Sequence, residues 1–168
     1  MFSNALRETT TTLLERCKEK GLLLATAESC TGGLIAALFT EIPGSSAVFE
    51  RGVVSYSNAS KTALLGVEAS LIEAQGAVSE HVAVAMADGM RRRTSVDLVV
   101  AVTGIAGPDG GSKEKPVGTV CIAVISEQDT MVETFHFQGD RHSIRMQSVE
   151  AALSMLMNIV SRSFSYVA

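Results

Sequence analysis

Four runs of small and hydroxylated residues, each set directly after an apolar strand-like stretch, constrain this chain more than any other feature. They are residues 27–33 (AESCTGG), 43–46 (PGSS), 54–61 (VSYSNASK) and 103–111 (TGIAGPDGG). Turns of this kind at strand ends gather hydroxyls and bare backbone N–H groups on one rim of a sheet, where α/β proteins bind ligands. The pattern calls for a sheet with a functional rim, and reads as that of an enzyme.

The segments between the turns supply the sheet and its cover. Residues 22–27 form an apolar run too short for a helix, which predicts a buried strand, and residues 48–55 predict a second. Residues 97–103 hold Leu98 to Val102 without interruption, as suits a central strand covered on both faces. Residues 117–126 and 131–137, split by a polar turn, predict an antiparallel hairpin. Helical spacing marks residues 4–20, 32–40, a stretch from Ser79 through Met90, and 140–160. Two shorter helices are expected, one over residues 70–74 and one capped by Ser57 and ended by Gly66. The order α-β-α-β-α-α-α-β-β-β-α predicts an α/β fold, a three-layer α/β/α sandwich on a mixed sheet of about five strands. The 168 residues fit one domain, 1–168, with no linker or repeat.

Composition narrows the function classes. A net charge of -4 argues against a nucleic-acid surface. The basic run Arg91-Arg92-Arg93 reads as a solvated helix end, where cations suit the macrodipole. No apolar run approaches the roughly 20 residues that cross a bilayer, and the N-terminus lacks a signal-peptide layout. Cys17, Cys30 and Cys121 have neither metal-site nor redox-pair spacing. The expectation is a cytoplasmic protein with no cofactor, no metal, no membrane and no nucleic-acid partner. Met146, Met155 and Met157 on the last helix hint at packing between subunits of a homo-oligomer.

Three turns carry candidate chemistry. Ser46 is a hydroxyl nucleophile in need of a base. His81, His136 and His142 fall within elements rather than strand-end loops, which leaves Lys61 as the base. It sits in the first turns of a short helix, where the positive helix terminus would depress its pKa, with Tyr56 just before it. The plain alternative is a solvent-exposed helical lysine. The turn Ser29-Cys30-Thr31-Gly32-Gly33 opens a helix and either holds a phosphate or carboxylate or is simply an N-cap. Cys30 there has no histidine evidently beside it. Thr103 to Gly107 let backbone approach a ligand, and their N–H groups could form an oxyanion hole. Arg141 and Arg145, one turn apart, could clamp an anion or merely decorate a capped helix.

Taken in order, AESCTGG, PGSSAVFERGVVSYSNASKTALLGV, GAVSE, TGIAGPDGG, KPVGTV and GDR resemble the C-terminal domain of the CinA (competence/damage-inducible) proteins, over about residues 6–160. That domain is found also as a stand-alone nicotinamide mononucleotide amidohydrolase, the form expected here. The resemblance implies deamidation of this small-molecule nucleotide to nicotinic acid mononucleotide and ammonia, without a metal. It implies Ser46 as nucleophile, Lys61 as general base and Tyr56 as a helper in the proton network. Ser29, Thr31, Gly32, Thr103, Gly104 and Ala106 would line the substrate, with Arg141 and Arg145 at its 5′-phosphate. Should Ser46 prove dispensable, Ser29, Cys30 and Thr31 are next in line as nucleophile. Rival readings are a catalytically silent nucleotide-binding module and a serine amidase for another amide.

Overall fold

The computed structural model describes residues 2–162, so the two ends of the expected domain 1–168 lie outside the described residues. Its centre is one five-stranded sheet in the order β2-β1-β3-β4-β5. The strands are β1 (Leu24–Glu28), β2 (Phe49–Val54), β3 (Leu98–Gly104), β4 (Thr119–Ile125) and β5 (Thr130–His136). Pairs β1–β2 and β1–β3 are parallel, while β3–β4 and β4–β5 are antiparallel, so the sheet is mixed and ends in the expected hairpin.

Among the described residues six α-helices cover it: α1 (Asn4–Glu19), α2 (Leu34–Thr40), α3 (Asn58–Leu65), α4 (Ala69–Gln75), α5 (Glu80–Arg92) and α6 (Arg141–Arg162). Alternation along β3 sorts them into layers, since neighbouring strand side chains point to opposite faces. Leu98, Val100 and Val102 pack with Leu13, Ile35, Phe39 and Leu156, from α1, α2 and α6. Val99 and Ala101 pack with Leu65, Ile72, Val82 and Met86, from α3, α4 and α5. The three-layer α/β/α sandwich follows from this two-sided burial, with seven consecutive β4 residues buried beside β3.

Element boundaries shift where a backbone group is used otherwise. Helix α2 starts at Leu34 rather than residue 32, because Gly32 and Gly33 hold positive φ of 60° and 92° in the turn. Strand β4 starts two residues later than expected, as Gly118 N–H turns away to Ile105 O at 2.8 Å. Ser57 caps α3 through Ser60 N at 3.0 Å, and Gly66 ends it. Met155 is buried, and Met146 and Met157 are half-buried against the chain's own core. Among the described residues no helix is long and apolar enough to cross a membrane.

Candidate active site

The chain leaves β1 towards α2 on one face of the sheet and leaves β2 towards α3 on the other. Two loops that part in this way open a crevice at the carboxyl ends of the strands, where open α/β sheets bind ligands. A cavity of about 260 Å³ lies there. Ser29, Tyr56, Lys61, Thr103 and Arg141 line it, with Ala77, Val78, Ile105 and Ala106 as its apolar wall.

Lys61 reaches this rim from the first turn of α3 and is only 2% exposed. Its Nζ donates to Ser29 Oγ at 3.0 Å and to Ser55 O at 3.0 Å. Burial lowers its pKa from the usual lysine value, and the neighbouring Cys30 opposes that to a lesser degree. A lysine so placed is closer to neutral at working pH and can accept the hydroxyl proton of Ser29. The parallel register explains the meeting: Glu28 pairs with Val54, so Ser29 and Ser55 leave adjacent strands side by side.

Ser29 sits on a turn whose backbone is fastened at nearly every group. Its N–H bonds Val102 O at 2.9 Å, and its carbonyl accepts Gly32 N–H at 3.0 Å. Glu28, 1% exposed, accepts the N–H groups of Gly33, Ile35 and Ala36 at 2.9–3.2 Å and the Thr26 hydroxyl at 3.3 Å. The carboxylate therefore occupies the start of α2, and this turn is not a cradle for a phosphate. Gly104 closes the floor: a Cβ there would stand 3.0 Å from Cys30 Sγ and 2.7 Å from Val120 Cγ2, so only glycine lets the strand end meet the turn. Cys30 is buried, which pushes its thiol up to about 12 and keeps it protonated.

Several sequence expectations are corrected here. Ser46 is exposed in a short 3-10 helix (Ser45–Ala47) ahead of β2, whereas Lys61 meets the residue that follows β2. The six residues of β2 separate the two rims by about 20 Å at 3.3 Å per residue, so Ser46 and Lys61 are not brought together. Tyr56, 60% exposed, does not enter the proton network; its hydroxyl accepts from Arg141 Nη2 at 2.8 Å. Arg141 also donates to Gly107 O at 2.7 Å and stands at the mouth of the cavity. Arg145 instead donates to Cys30 O at 3.1 Å and Thr31 O at 2.7 Å, so its guanidinium holds the turn. Thr31 is fully buried with its hydroxyl unpartnered, and neither it nor Gly32 lines the cavity. Thr103 and Gly104 do line it, with the Thr103 hydroxyl donating to Ala77 O at 2.8 Å.

Sequence reasoning missed Ser55, Asn58, Asp109 and the Ala77–Val78 wall. Ser55 was findable as a hydroxyl at a strand end, but the wall comes from a loop with no chemical marker.

Fold and rim together define an α/β domain with a buried serine–lysine pair in a strand-end crevice. The chain matches the CinA C-terminal domain over residues 6–160 and belongs to that family. It is 54% identical over 139 residues to a CinA-like protein of Geotalea daltonii, covering 83% of this chain and 34% of that one. A putative competence-damage inducible protein of Desulforudis audaxviator is 48% identical over 143 residues, 85% of this chain and 35% of the relative. The chain thus spans about a third of the length of the curated relatives it matches. Among solved structures, the competence/damage inducible protein CihA from Agrobacterium tumefaciens superposes with a TM-score of 0.93 at 41% identity, covering 96% of this chain and 99% of that one. A CinA superfamily protein from Escherichia coli gives 0.89 at 32% identity, covering 95% of this chain and 94% of that one.

Proposed function

We propose that this chain is a serine–lysine amidohydrolase that deamidates nicotinamide mononucleotide, with Ser29 rather than Ser46 as the nucleophile. The observation that carries the reading is the 3.0 Å contact between Ser29 Oγ and the buried Lys61 Nζ at the cavity. Neutral Lys61 takes the Ser29 proton as Oγ attacks the carboxamide carbon, and backbone N–H groups of the cavity lining stabilise the developing oxyanion. The Lys61 ammonium then gives its proton to the departing nitrogen, which leaves as ammonia. Water, deprotonated by the same lysine, hydrolyses the acyl ester to the carboxylate and frees Ser29.

The choice of substrate rests on the family resemblance and is supported by the lining. A flat pyridine ring suits the wall of Ala77, Val78, Ile105 and Ala106, and Arg141 at the mouth suits a phosphate. A cavity of about 260 Å³ is at the small end for ligand sites and favours a mononucleotide over a dinucleotide.

Ammonia release from nicotinamide mononucleotide tests the reading directly. Ser29→Ala and Lys61→Met should each lower kcat by about 10⁴-fold or more, while Ser46→Ala should leave it within about 3-fold. Native activity in Ser29→Ala, or its loss in Ser46→Ala, would overturn the assignment. Tight binding of the nucleotide by the native chain without ammonia release would mark a binding module instead.

A further inference from the structure

The two halves of the cavity's apolar wall are fastened very differently. Ile105 and Ala106 follow β3 directly, and Ile105 is fixed by backbone on both sides: its N–H bonds Thr119 O at 2.9 Å, and its carbonyl accepts Gly118 N–H at 2.8 Å. Ala77 and Val78 sit in the loop between α4 and α5, half-buried, and among the described residues no backbone–backbone hydrogen bond begins or ends at either. Side chains hold that loop instead, on three successive carbonyls. Lys115 Nζ donates to Gln75 O at 2.7 Å, Ser79 Oγ to Gly76 O at 3.1 Å, and Thr103 Oγ to Ala77 O at 2.8 Å. Lys115 reaches in from the loop before β4, and Ser79 belongs to the same turn. The third donor comes from the sheet itself: Thr103 lies in β3, is 1% exposed and pairs with Cys121 of β4. Its side chain points to the same face as Val99 and Ala101, towards the layer of α3, α4 and α5. Ile105 stands two residues further along the chain, so a single hydroxyl joins the fixed half of the wall to the loose one.

We propose that Thr103 is a positioning residue for substrate binding: its hydroxyl, through Ala77 O, sets the Ala77–Val78 wall at the spacing from Ile105 and Ala106 that a flat ring requires. The proposal rests on the reading of this cavity as the site of the nucleotide's pyridine ring. Thr103 touches no reacting atom and acts through Ala77, while the contact between Ser29 and Lys61 does not pass through it. Serine can donate the same bond. Valine keeps the branched shape of threonine and leaves Ala77 O without its donor.

The test compares Thr103→Val and Thr103→Ser with the native chain, by kinetics on nicotinamide mononucleotide and by the NMR signals of the Ala77 and Val78 methyl groups without substrate. Thr103→Val should raise KM about 10-fold, the scale of one hydrogen bond, with kcat within about 3-fold of native. Thr103→Ser should bring KM back to within about 3-fold of native. The rising limb of the pH profile should stay where Lys61 puts it in both variants. In the free chain the Ala77 and Val78 methyl signals should shift or broaden in Thr103→Val and stay native in Thr103→Ser. Those of Leu13 and Ile35, on the other face of the sheet, should not move in either. A fall in kcat at unchanged KM would overturn the proposal and make Thr103 part of the reaction centre. Equal KM values in the two variants would overturn it as well, since the hydroxyl would then make no difference, and so would native methyl signals in Thr103→Val. If Thr103→Val does not fold, Thr103→Ala takes its place beside Thr103→Ser. If the native chain releases no ammonia from nicotinamide mononucleotide, the substrate reading fails on its own, and the methyl signals still judge the tie between Thr103 and the wall.

Discussion

An ammonium group taken out of water loses hydration that few protein environments replace, and Lys61 at 2% exposure has Ser29 Oγ and Ser55 O as its acceptors among the described residues. Its pKa is therefore lowered by burial, and the neutral amine is the form the site favours. Two consequences can be measured. Log kcat/KM should rise with pH to a plateau reached below the ordinary lysine value of 10.5. Stability has the matching sign. Between the lowered folded pKa and 10.5 the unfolded chain carries a proton that the folded chain lacks, so stability rises with pH across that window and levels off above it. Lys61→Met should abolish that slope in urea melts at several pH values, and a slope identical to native would contradict the burial argument. Cys30, with its thiol pushed up to about 12, should resist iodoacetamide at pH 8 in the folded chain. At this scale the buried lysine was legible in the sequence and its serine partner was not. The residues PGSS and VSYS both flank β2, but one precedes the strand and the other follows it. A loop before a strand and a loop after it lie on opposite rims, which spacing alone does not display.

Short elements need their ends satisfied, and α2, with seven residues, has its first N–H groups held by Glu28 rather than by the usual preceding cap. Glu28→Gln keeps the shape but trades a charged acceptor of three N–H groups for a neutral amide. It should cost about 1–3 kcal/mol of stability in denaturant melts, and activity should fall with it because Ser29 is the next residue. A neutral effect on both would mean that the turn holds its form without the carboxylate. Existence and type of the elements were legible, since periods of two and of 3.6 residues are local signals. Ser57, Gly66 and Ser79 marked their helix ends correctly for the same reason. Glu28 and Arg145 were not legible in these roles. Each acts on a turn it reaches by folding back or from another layer, and a charged residue bears no sign in sequence of whether it meets water, a ligand or a carbonyl.

At the scale of the molecule, α3 and α5 share one outer layer and meet backbone to backbone where Gly89 faces Leu65. A Cβ on Gly89 would drive into the Leu65 carbonyl oxygen, the same oxygen that Arg93 Nη1 holds at 2.9 Å. Gly89→Ala must therefore push α3 away from α5, and it should destabilise the fold by about 1–3 kcal/mol, as overpacked sites do. Because α3 also carries Lys61, kcat should drop in the fraction that stays folded, and a variant with native melting and native kcat would refute the contact. Fold class was readable from the alternation of strand and helix patterns and from the hairpin. The strand order, which sets β1 between β2 and β3, depends on which neighbours pair, and no local stretch encodes that. It is this order that sends the loops after β1 and β2 to opposite faces. The hydroxyl rides with one outer layer of the sandwich and the amine with the other, so their separation gauges how tightly the three layers are clasped. Pulling the outer layers apart would lengthen the gap between hydroxyl and amine while the strand pairing of the sheet stayed whole.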